Sequence, residues 1–270
     1  MTYLHQPQFI SKQDKRSLLS ELAALHPIHE TRYTANDARR DGQTSRLLLR
    51  PVYWLGGWQF ACHNYYRKNA TQHRVVLAEP LVPTLRKLVQ TIEKQVKETA
   101  IATDIPTDWK LNTCLINYYG NSFRDGRWVD TARVNNHKDH EPGPVASLSL
   151  GAAADFDFNL GGRKPSPIEA LVLKDRSLLA FWGAEHKDQL YHRVRSVRAQ
   201  QDHRFDIDIN DFRLRRINIT LRYVPDDCLS TLAEIPNNSD LRTSVQALAA
   251  HSSFWQQAWA DTYGKAEEQA

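Results

Sequence analysis

The stretch RRINITLR, residues 215–222, alternates apolar and polar side chains with a period of two. Such alternation predicts a β-strand, because successive side chains of an extended chain point to opposite faces. One face carries the apolar residues Ile217, Ile219 and Leu221. The other carries the polar residues Arg216, Asn218, Thr220 and Arg222. The polar face either meets solvent, which is the commoner arrangement, or points into the fold, where a buried guanidinium needs an anionic partner.

Six further segments of the chain have the pattern of short strands. They are residues 115–119, 145–151, 154–160, 168–173, 177–182 and 191–197. Glycine, proline and aspartate turns separate them. Seven short strands divided in this way indicate an antiparallel sandwich or a jelly roll.

Helical patterns lie on both sides of the predicted strands. Residues 11–25 form an amphipathic pattern behind the possible N-cap Ser11, residues 79–100 carry a longer apolar stripe, and residues 239–263 form a third region. We therefore expect an α+β protein with a mainly β core and flanking helices. The expected division is a helical extension over residues 1–45, a core over residues 46–230, and a second helical extension over residues 231–270.

Composition bounds the classes of protein that remain. The 270 residues are 41% hydrophobic and 24% charged, which is ordinary for a globular protein. The polar N-terminal stretch lacks the apolar region of a secretory signal, no apolar run is long enough to cross a bilayer, and three cysteines without a CxxC pair argue against disulfides and thiolate zinc sites. We expect a cytoplasmic protein without a membrane partner. The formal net charge of +4 is compatible with a nucleic-acid partner but does not require one.

The segment VNNHKDHEPGP, residues 134–144, has the side chains of a metal site. In an extended chain His137 and Asp139 point to one side and His140 points to the other. Together they supply two ligands of a two-histidine, one-carboxylate iron(II) site, whose third ligand would be a histidine from a distant strand. His192, at a strand start, is the candidate, and His186 in the preceding loop is its rival, although we expect His186 to meet solvent. An isolated HxD pattern is more often a solvated turn.

Taken in order, these motifs resemble those of the AlkB-like iron(II)- and 2-oxoglutarate-dependent dioxygenases. The resemblance covers roughly residues 46–224. Five motifs carry it: Asn117-x-Tyr119, His137-x-Asp139, residues 146–152, His192 and residues 216–222. It implies a double-stranded β-helix, which is a jelly roll. It also implies Fe(II), 2-oxoglutarate and O2 as cofactors, and oxidative removal of N-methyl groups from bases of the 1-methyladenine and 3-methylcytosine type in DNA or RNA, with release of formaldehyde and succinate.

The resemblance also implies roles for particular residues. The iron ligands would be His137, Asp139 and His192. Arg216 would bind the far carboxylate of 2-oxoglutarate. The rest of that cosubstrate would be held by Asn117, Tyr119, Asn218 and Arg222, although from the pattern alone Asn117 and Tyr119 could equally close a hydrogen-bond network.

The substrate base would be flipped out of a duplex or presented on a single strand, under a lid within residues 46–78. The candidates for contact with the base are Trp54, Tyr65, Tyr66 and Glu141. For any single aromatic residue a place in the core is at least as common. The chain departs from the family in having His140 after the metal aspartate, where many relatives have an acidic residue.

Basic residues near the proposed site could track a nucleic-acid backbone or form an ordinary solvated face. They are Arg39, Arg40, Arg46, Arg50, Arg193 and Arg195. Two other functions stay open. One is the same chemistry on a protein, lipid or small molecule, and the other is nucleic-acid binding without turnover, for which loss of a metal ligand would be typical. No obligate protein partner is indicated.

Overall fold

The computed structural model describes residues 2–33, 45–59, 75–199, 205–234 and 239–264. Its strands are β1 Tyr3–Gln6, β2 Thr31–Tyr33, β3 Ser45–Leu47, β4 Val52–Leu55, β5 Gly57–Trp58, β6 Val75–Leu77, β7 Thr113–Arg124, β8 Arg127–Asp130, β9 Val134–His137, β10 Val145–Gly151, β11 Ala154–Asn159, β12 Pro167–Leu173, β13 Leu178–Phe181, β14 Tyr191–Val197, β15 Phe212–Arg222 and β16 Leu229–Ser230. Its α-helices are α1 Lys12–Ala23, α2 Pro83–Thr99, α3 Ser239–Ala249 and α4 Ser253–Trp259. None of the helices in these ranges is both long enough and apolar enough to cross a membrane.

Two antiparallel sheets form the centre of the fold. The major sheet has the order β1-β13-β10-β15-β7-β4, and β8 pairs with the far end of β7. The minor sheet has the order β12-β11-β14-β9. Buried side chains from both sheets, including Tyr119, Phe158 and Phe181, form one apolar cluster. This arrangement is a jelly roll with a mainly β core, which confirms the predicted fold class.

The helices cover the major sheet from outside. In α2 the predicted apolar stripe is buried: Leu85, Leu88, Val89, Ile92 and Val96. Pro83 occupies the first turn, where its missing N–H costs no hydrogen bond. The Glu21 carboxylate of α1 accepts hydrogen bonds from the backbone N–H and the hydroxyl of Thr84, so the two helices are joined at the start of α2.

The N-terminal segment, expected to be a helical extension, also supplies an edge strand of the major sheet. β1 pairs with β13, with Tyr3 opposite Phe181 and Gln6 opposite Leu178. A strand of four residues is too short for a clear period, and its conformation depends on the hydrogen-bonding partner that the edge of β13 provides. The expectation of an extension made only of helix is therefore corrected.

Two further expectations are corrected by the observed elements. Residues 52–55, assigned to a lid, form β4, whose side chains are all buried next to β7 in the major sheet. The predicted helical region 239–263 is divided into α3 and α4, because Ser252 caps a new helix by accepting from the backbone N–H of Trp255 at 3.3 Å.

Candidate metal centre and cosubstrate cavity

Three predicted iron ligands lie together at one end of the jelly roll. His137 ends β9, His192 stands opposite it in β14, and Asp139 follows in the turn after β9. One possible ligand atom from each of the three lies within 4.8 Å of those of the other two. Asp139 Oδ2 is 3.3 Å from His192 Nε2. Two imidazoles and one carboxylate in this compact arrangement form a donor set suited to iron(II).

The charges around these side chains favour the forms that bind metal. Removal from water, together with the neighbouring His192, lowers the pKa of His137 to about 3, so its imidazole is neutral. For Asp139, burial acts to raise the pKa, but Arg222 and the two histidines hold it well below its usual value. A neutral imidazole and an ionised carboxylate bind a metal without first releasing a proton.

Arg222 and Lys187 fix the turn that carries Asp139. Arg222 Nε and Nη2 lie 2.9 Å and 2.8 Å from Asp139 Oδ1. Lys187 Nζ donates to the backbone oxygens of Asp139 at 2.5 Å and Glu141 at 2.8 Å. Lys187 lies in the π-helical turn Gly183–Gln189, and π-helical turns are frequent at functional sites. The carboxylate is thus held from both its side chain and its backbone.

A cavity adjoins the three candidate ligands, and His137, Asp139 and His192 are among the residues that line it. The face of β7 that carries Leu115, Asn117 and Tyr119 forms one wall, and Asn218 and Thr220 of β15 extend it. The polar face of residues 215–222 therefore points inward, toward the cavity. This is the less common of the two arrangements that the sequence pattern allows.

Arg216 lies fully buried beside Tyr119 in the register of β15 and β7. Its guanidinium donates to the backbone oxygens of Ala152 and Leu173 at 3.1 Å each and to Ser149 Oγ at 2.7 Å, while Nε has no hydrogen-bond partner. No carboxylate of the described residues lies within 4.0 Å of it, and burial lowers its pKa to about 10. An unpaired buried cation is costly, so this position fits the carboxylate of a bound anion.

Some polar groups of the predicted cosubstrate residues form hydrogen bonds within the protein, and others can bind a ligand. Asn218 Nδ2 donates to Ser147 Oγ at 2.7 Å and to the Leu148 oxygen at 3.1 Å. Asn117 Oδ1 accepts from Arg50 Nε at 2.8 Å. Burial raises the pKa of Tyr119, so its hydroxyl is neutral and can donate. The cavity can therefore offer a phenol and amide groups to a small dicarboxylate, and the buried guanidinium of Arg216 lies next to Tyr119 without lining the cavity.

Arg50 lines the cavity, and its role was missed in the sequence, where it was assigned only to a basic surface near a lid. Its guanidinium lies 5.8 Å from the centre of the Tyr119 ring. The residue lies two positions before the start of β4, whose antiparallel pairing with β7 brings it next to Asn117. Only this long-range pairing places Arg50 at the site, and nothing in the local sequence indicates it.

The candidates for contact with a substrate base fare differently. Trp54 is buried, and its indole N–H donates to Glu30 at 3.2 Å rather than lining the cavity, because β4 belongs to the sheet. Glu141 is also buried off the cavity wall, where its carboxylate accepts from Gln59 and lies 3.6 Å from Arg222 Nε. Both assignments are corrected. Tyr65 and Tyr66 lie outside the described residues.

His186, the rival ligand, is buried rather than solvated and lies apart from the metal cluster. Its Nδ1 is 2.5 Å from Thr2 Oγ1 and its Nε2 is 3.3 Å from Glu169 Oε1. The expectation that His186 meets solvent is wrong because its own segment, Gly183–Gln189, folds into a π-helical turn. In this turn the His186 ring packs against Tyr3 of the N-terminal strand.

The predicted basic surface is partly neutralised. Arg193 Nε and Arg195 Nε lie 3.0 Å and 3.3 Å from the buried Asp157 Oδ2. Arg39, Arg40 and the side chain of Arg46 lie outside what the structure describes. A nucleic-acid phosphate that contacts Arg193 or Arg195 would therefore have to compete with the Asp157 carboxylate.

Comparison with known proteins identifies the family of this chain. The family model for the 2OG-Fe(II) oxygenase superfamily matches residues 2–222 and so includes the N-terminal strand. No curated protein matches the chain in sequence. The solved structure of OsALKBH1 is similar with a TM-score of 0.52 and 19% identity, covering 82% of this chain and 98% of that one. A 2OG-Fe(II) oxygenase family oxidoreductase from Burkholderia pseudomallei has a TM-score of 0.44 and 13% identity, covering 82% and 84%.

Proposed function

The chain belongs to the 2OG-Fe(II) oxygenase superfamily, with Fe(II), 2-oxoglutarate and O2 as cofactors, and from this premise we propose that it removes N-methyl groups from bases in DNA or RNA. The single observation that carries the proposal is the buried Arg216, whose Nε has no hydrogen-bond partner among the described residues, on the same strand as Arg222, the partner of Asp139. The choice of a nucleic-acid substrate is supported by the order of the sequence motifs and by the fold shared with OsALKBH1, an AlkB homologue.

In this proposal His137, Asp139 and His192 hold Fe(II). Bound iron, together with 2-oxoglutarate and O2, supplies an oxidation that hydroxylates a C–H bond of the substrate while 2-oxoglutarate becomes succinate and CO2. A hydroxylated N-methyl group then breaks at its C–N bond, which releases formaldehyde and a proton and leaves the electron pair on the unmethylated ring nitrogen of the base. The residues of the chain contribute binding, orientation and electrostatics.

Arg216 binds the far carboxylate of 2-oxoglutarate with its Nε–H, and the neutral Tyr119 hydroxyl donates to the same group. Asn117 and Asn218 are neighbours in the register of β7 and β15, and both line the cavity. A hydrogen bond from a buried guanidinium to an ionised carboxylate is stronger than a neutral one. The far carboxylate of the cosubstrate would therefore lie at Arg216, away from the iron ligands.

Arg222, which also lines the cavity and keeps its predicted place beside the cosubstrate, and Lys187 both act on Asp139. Arg222 keeps the carboxylate ionised and contacts Oδ1, whereas Oδ2 lies 3.3 Å from His192 Nε2 and would be the atom that holds the metal. Residues that orient metal ligands in this way commonly change metal affinity by about 10- to 100-fold when they are removed. We assign positioning roles to both side chains.

Turnover tests the proposed function directly. Purified protein with Fe(II), 2-oxoglutarate and ascorbate is incubated with single- and double-stranded oligonucleotides that carry 1-methyladenine or 3-methylcytosine, and the products are weighed by mass spectrometry. We expect loss of one methyl group from the base. His137→Ala should abolish it, whereas His140→Ala, an exposed neighbour outside the metal cluster, should retain it.

Two outcomes contradict the proposal in different ways. Succinate formed at the same rate with and without oligonucleotide, with no demethylated base, would point to the same oxidation on a protein, lipid or small molecule. Iron-loaded protein that forms neither succinate nor demethylated base would exclude catalysis under this mechanism.

A further inference from the structure

The hairpin formed by β7 and β8 carries an exposed aromatic pair. Phe123 and Trp128 stand opposite each other in the register, with ring centres 5.2 Å apart and exposed fractions of 42% and 37%. The Arg213 guanidinium lies 4.0 Å from the centre of the Trp128 ring. We call Phe123, Trp128 and Arg213 the hairpin platform. Single exposed apolar residues are ordinary, but two adjacent rings beside a guanidinium form a surface for planar groups.

The hairpin platform lies on the same sheet face as the cosubstrate cavity. In β7 the residues Leu115, Asn117 and Tyr119 line the cavity, and the period of two continues this face through Asn121 to Phe123. Arg213 joins the face from β15, where it is paired with Asn121. Six residues of strand separate Asn117 from Phe123, which is a distance of about 20 Å. The cavity and the platform thus lie along the same face of β7.

The charge of the hairpin region favours an anionic partner. Five arginines lie on the hairpin, just after it, or on the facing end of β15: Arg124, Arg127, Arg133, Arg213 and Arg215. Three aspartates lie in the same region: Asp125, Asp130 and Asp211. Asp130 is paired with Arg215 at 2.8 Å, and Arg213 has no carboxylate within 4.0 Å among the described residues. The rings therefore lie in positive surroundings.

We propose that the hairpin platform binds a single nucleic-acid strand whose target base occupies the cavity. Bases of the flanking nucleotides stack on Trp128 and Phe123, and Arg213 contacts the phosphate between them. Stacking on aromatic rings combined with arginine contacts to the backbone is how proteins hold single strands without reading sequence. This inference rests on the proposed function for the identity of the target base, but binding of the strand does not depend on turnover.

The test measures binding of a fluorescein-labelled, unmodified single-stranded oligonucleotide to the full chain by fluorescence anisotropy, without iron or 2-oxoglutarate. Trp128→Ala should raise Kd by about tenfold, because each stacked base contributes substantially to affinity. Arg213→Ala should reduce the slope of log K against log salt by about 0.7, the value for one phosphate contact on a single strand. Trp128→Phe and Arg213→Lys, which keep a ring and a charge, should retain most of the affinity.

Matched controls lie on other parts of the surface. Leu160→Ala removes an exposed apolar side chain, and Arg198→Ala removes an exposed arginine paired with Asp155 on the minor sheet. Both should bind the strand as the wild type does. Thermal melting of each variant separates lost binding from lost folding.

The outcomes separate this inference from the proposed function. If the platform variants lose binding while the wild type demethylates no base, the platform stands and the proposed function fails. If the wild type demethylates oligonucleotides but Trp128→Ala and Arg213→Ala keep the wild-type Kd and KM, the platform is overturned. It is equally overturned if the wild type binds no strand, or if Trp128→Ala only converts a dimer of the chain into monomers.

Discussion

Arg216 and Arg222 occupy the same face of β15, six residues apart, and their surroundings differ. Arg222 contacts the carboxylates of Asp139 and Glu141, so the protein supplies its counter-charges. Arg216 contacts only two backbone oxygens and a hydroxyl, and its Nε has no partner. The protein itself supplies the counter-charges of Arg222, whereas the guanidinium of Arg216 has room for a hydrogen bond to a ligand. A buried charge with its own partner indicates architecture, and one without a partner indicates a binding site.

The largest loss of stability should follow from breaking the ion pair between Arg222 and Asp139. Arg222→Met leaves the buried Asp139 carboxylate without its main partner, and removal of one member of a buried ion pair costs about 3–5 kcal/mol. Denaturant unfolding of the metal-free protein measures this loss. Arg222→Met combined with Asp139→Asn should recover part of the stability, since the Asp139 charge is removed while Glu141 still lacks its contact with Arg222. Equal stabilities of Arg222→Met and wild type would contradict the comparison.

Arg216→Met should behave in the opposite way. Because it removes an unpaired buried cation, the ligand-free protein should be as stable as the wild type or more stable. Its affinity for 2-oxoglutarate should fall by about 10- to 100-fold, which corresponds to a charged hydrogen bond of about 1.5–3 kcal/mol. Calorimetric titration with 2-oxoglutarate in the presence of Mn(II) measures the affinity. A destabilised ligand-free protein with unchanged affinity would reverse the assignment.

A smaller effect should come from the backbone support of the metal turn. Lys187→Met keeps the length and the apolar stem of the side chain but removes the donors to the Asp139 and Glu141 oxygens. We expect metal affinity to fall by about tenfold, the lower end of the range for groups that orient ligands. Competition with a fluorescent chelator measures it. Lys12→Met, a change on the surface of α1, is the control and should leave the affinity unchanged.

The smallest effect should be that of Trp54→Phe. If Trp54 is a core residue, loss of its indole N–H bond to Glu30 should cost about 1 kcal/mol of stability and leave KM for a methylated oligonucleotide unchanged. Melting curves and steady-state kinetics measure the two quantities. A rise in KM without a change in stability would return Trp54 to the substrate site.

The β elements were predictable because alternation with a period of two is a local property. The strands over 145–151 and 191–197 are observed with the predicted bounds, and the jelly roll is confirmed. The placement of β1 and β4 was not predictable, since each depends on pairing with a strand far away in sequence. Short segments without a period take their conformation from tertiary partners.

The candidate site was predictable to the level of residue type. The spacing of His137 and Asp139 and the distant His192 indicated the cluster that the structure brings together. Alternation in residues 215–222 could not tell inward from outward, because both arrangements give the same pattern. The unpartnered Nε of Arg216 and the cavity position of Arg50 follow from burial and strand pairing, which no local sequence encodes.

The edge strand β1 also has a consequence for how the protein is made. Its partner β13 lies more than 170 residues later in the chain, so β1 leaves the ribosome before the strand with which it pairs has been synthesised. Pairing over such a separation is slow because a long loop must close first. Until β13 has been synthesised, β1 is an unpaired strand on the nascent chain. Such a strand is a segment that chaperones can bind and protect from aggregation.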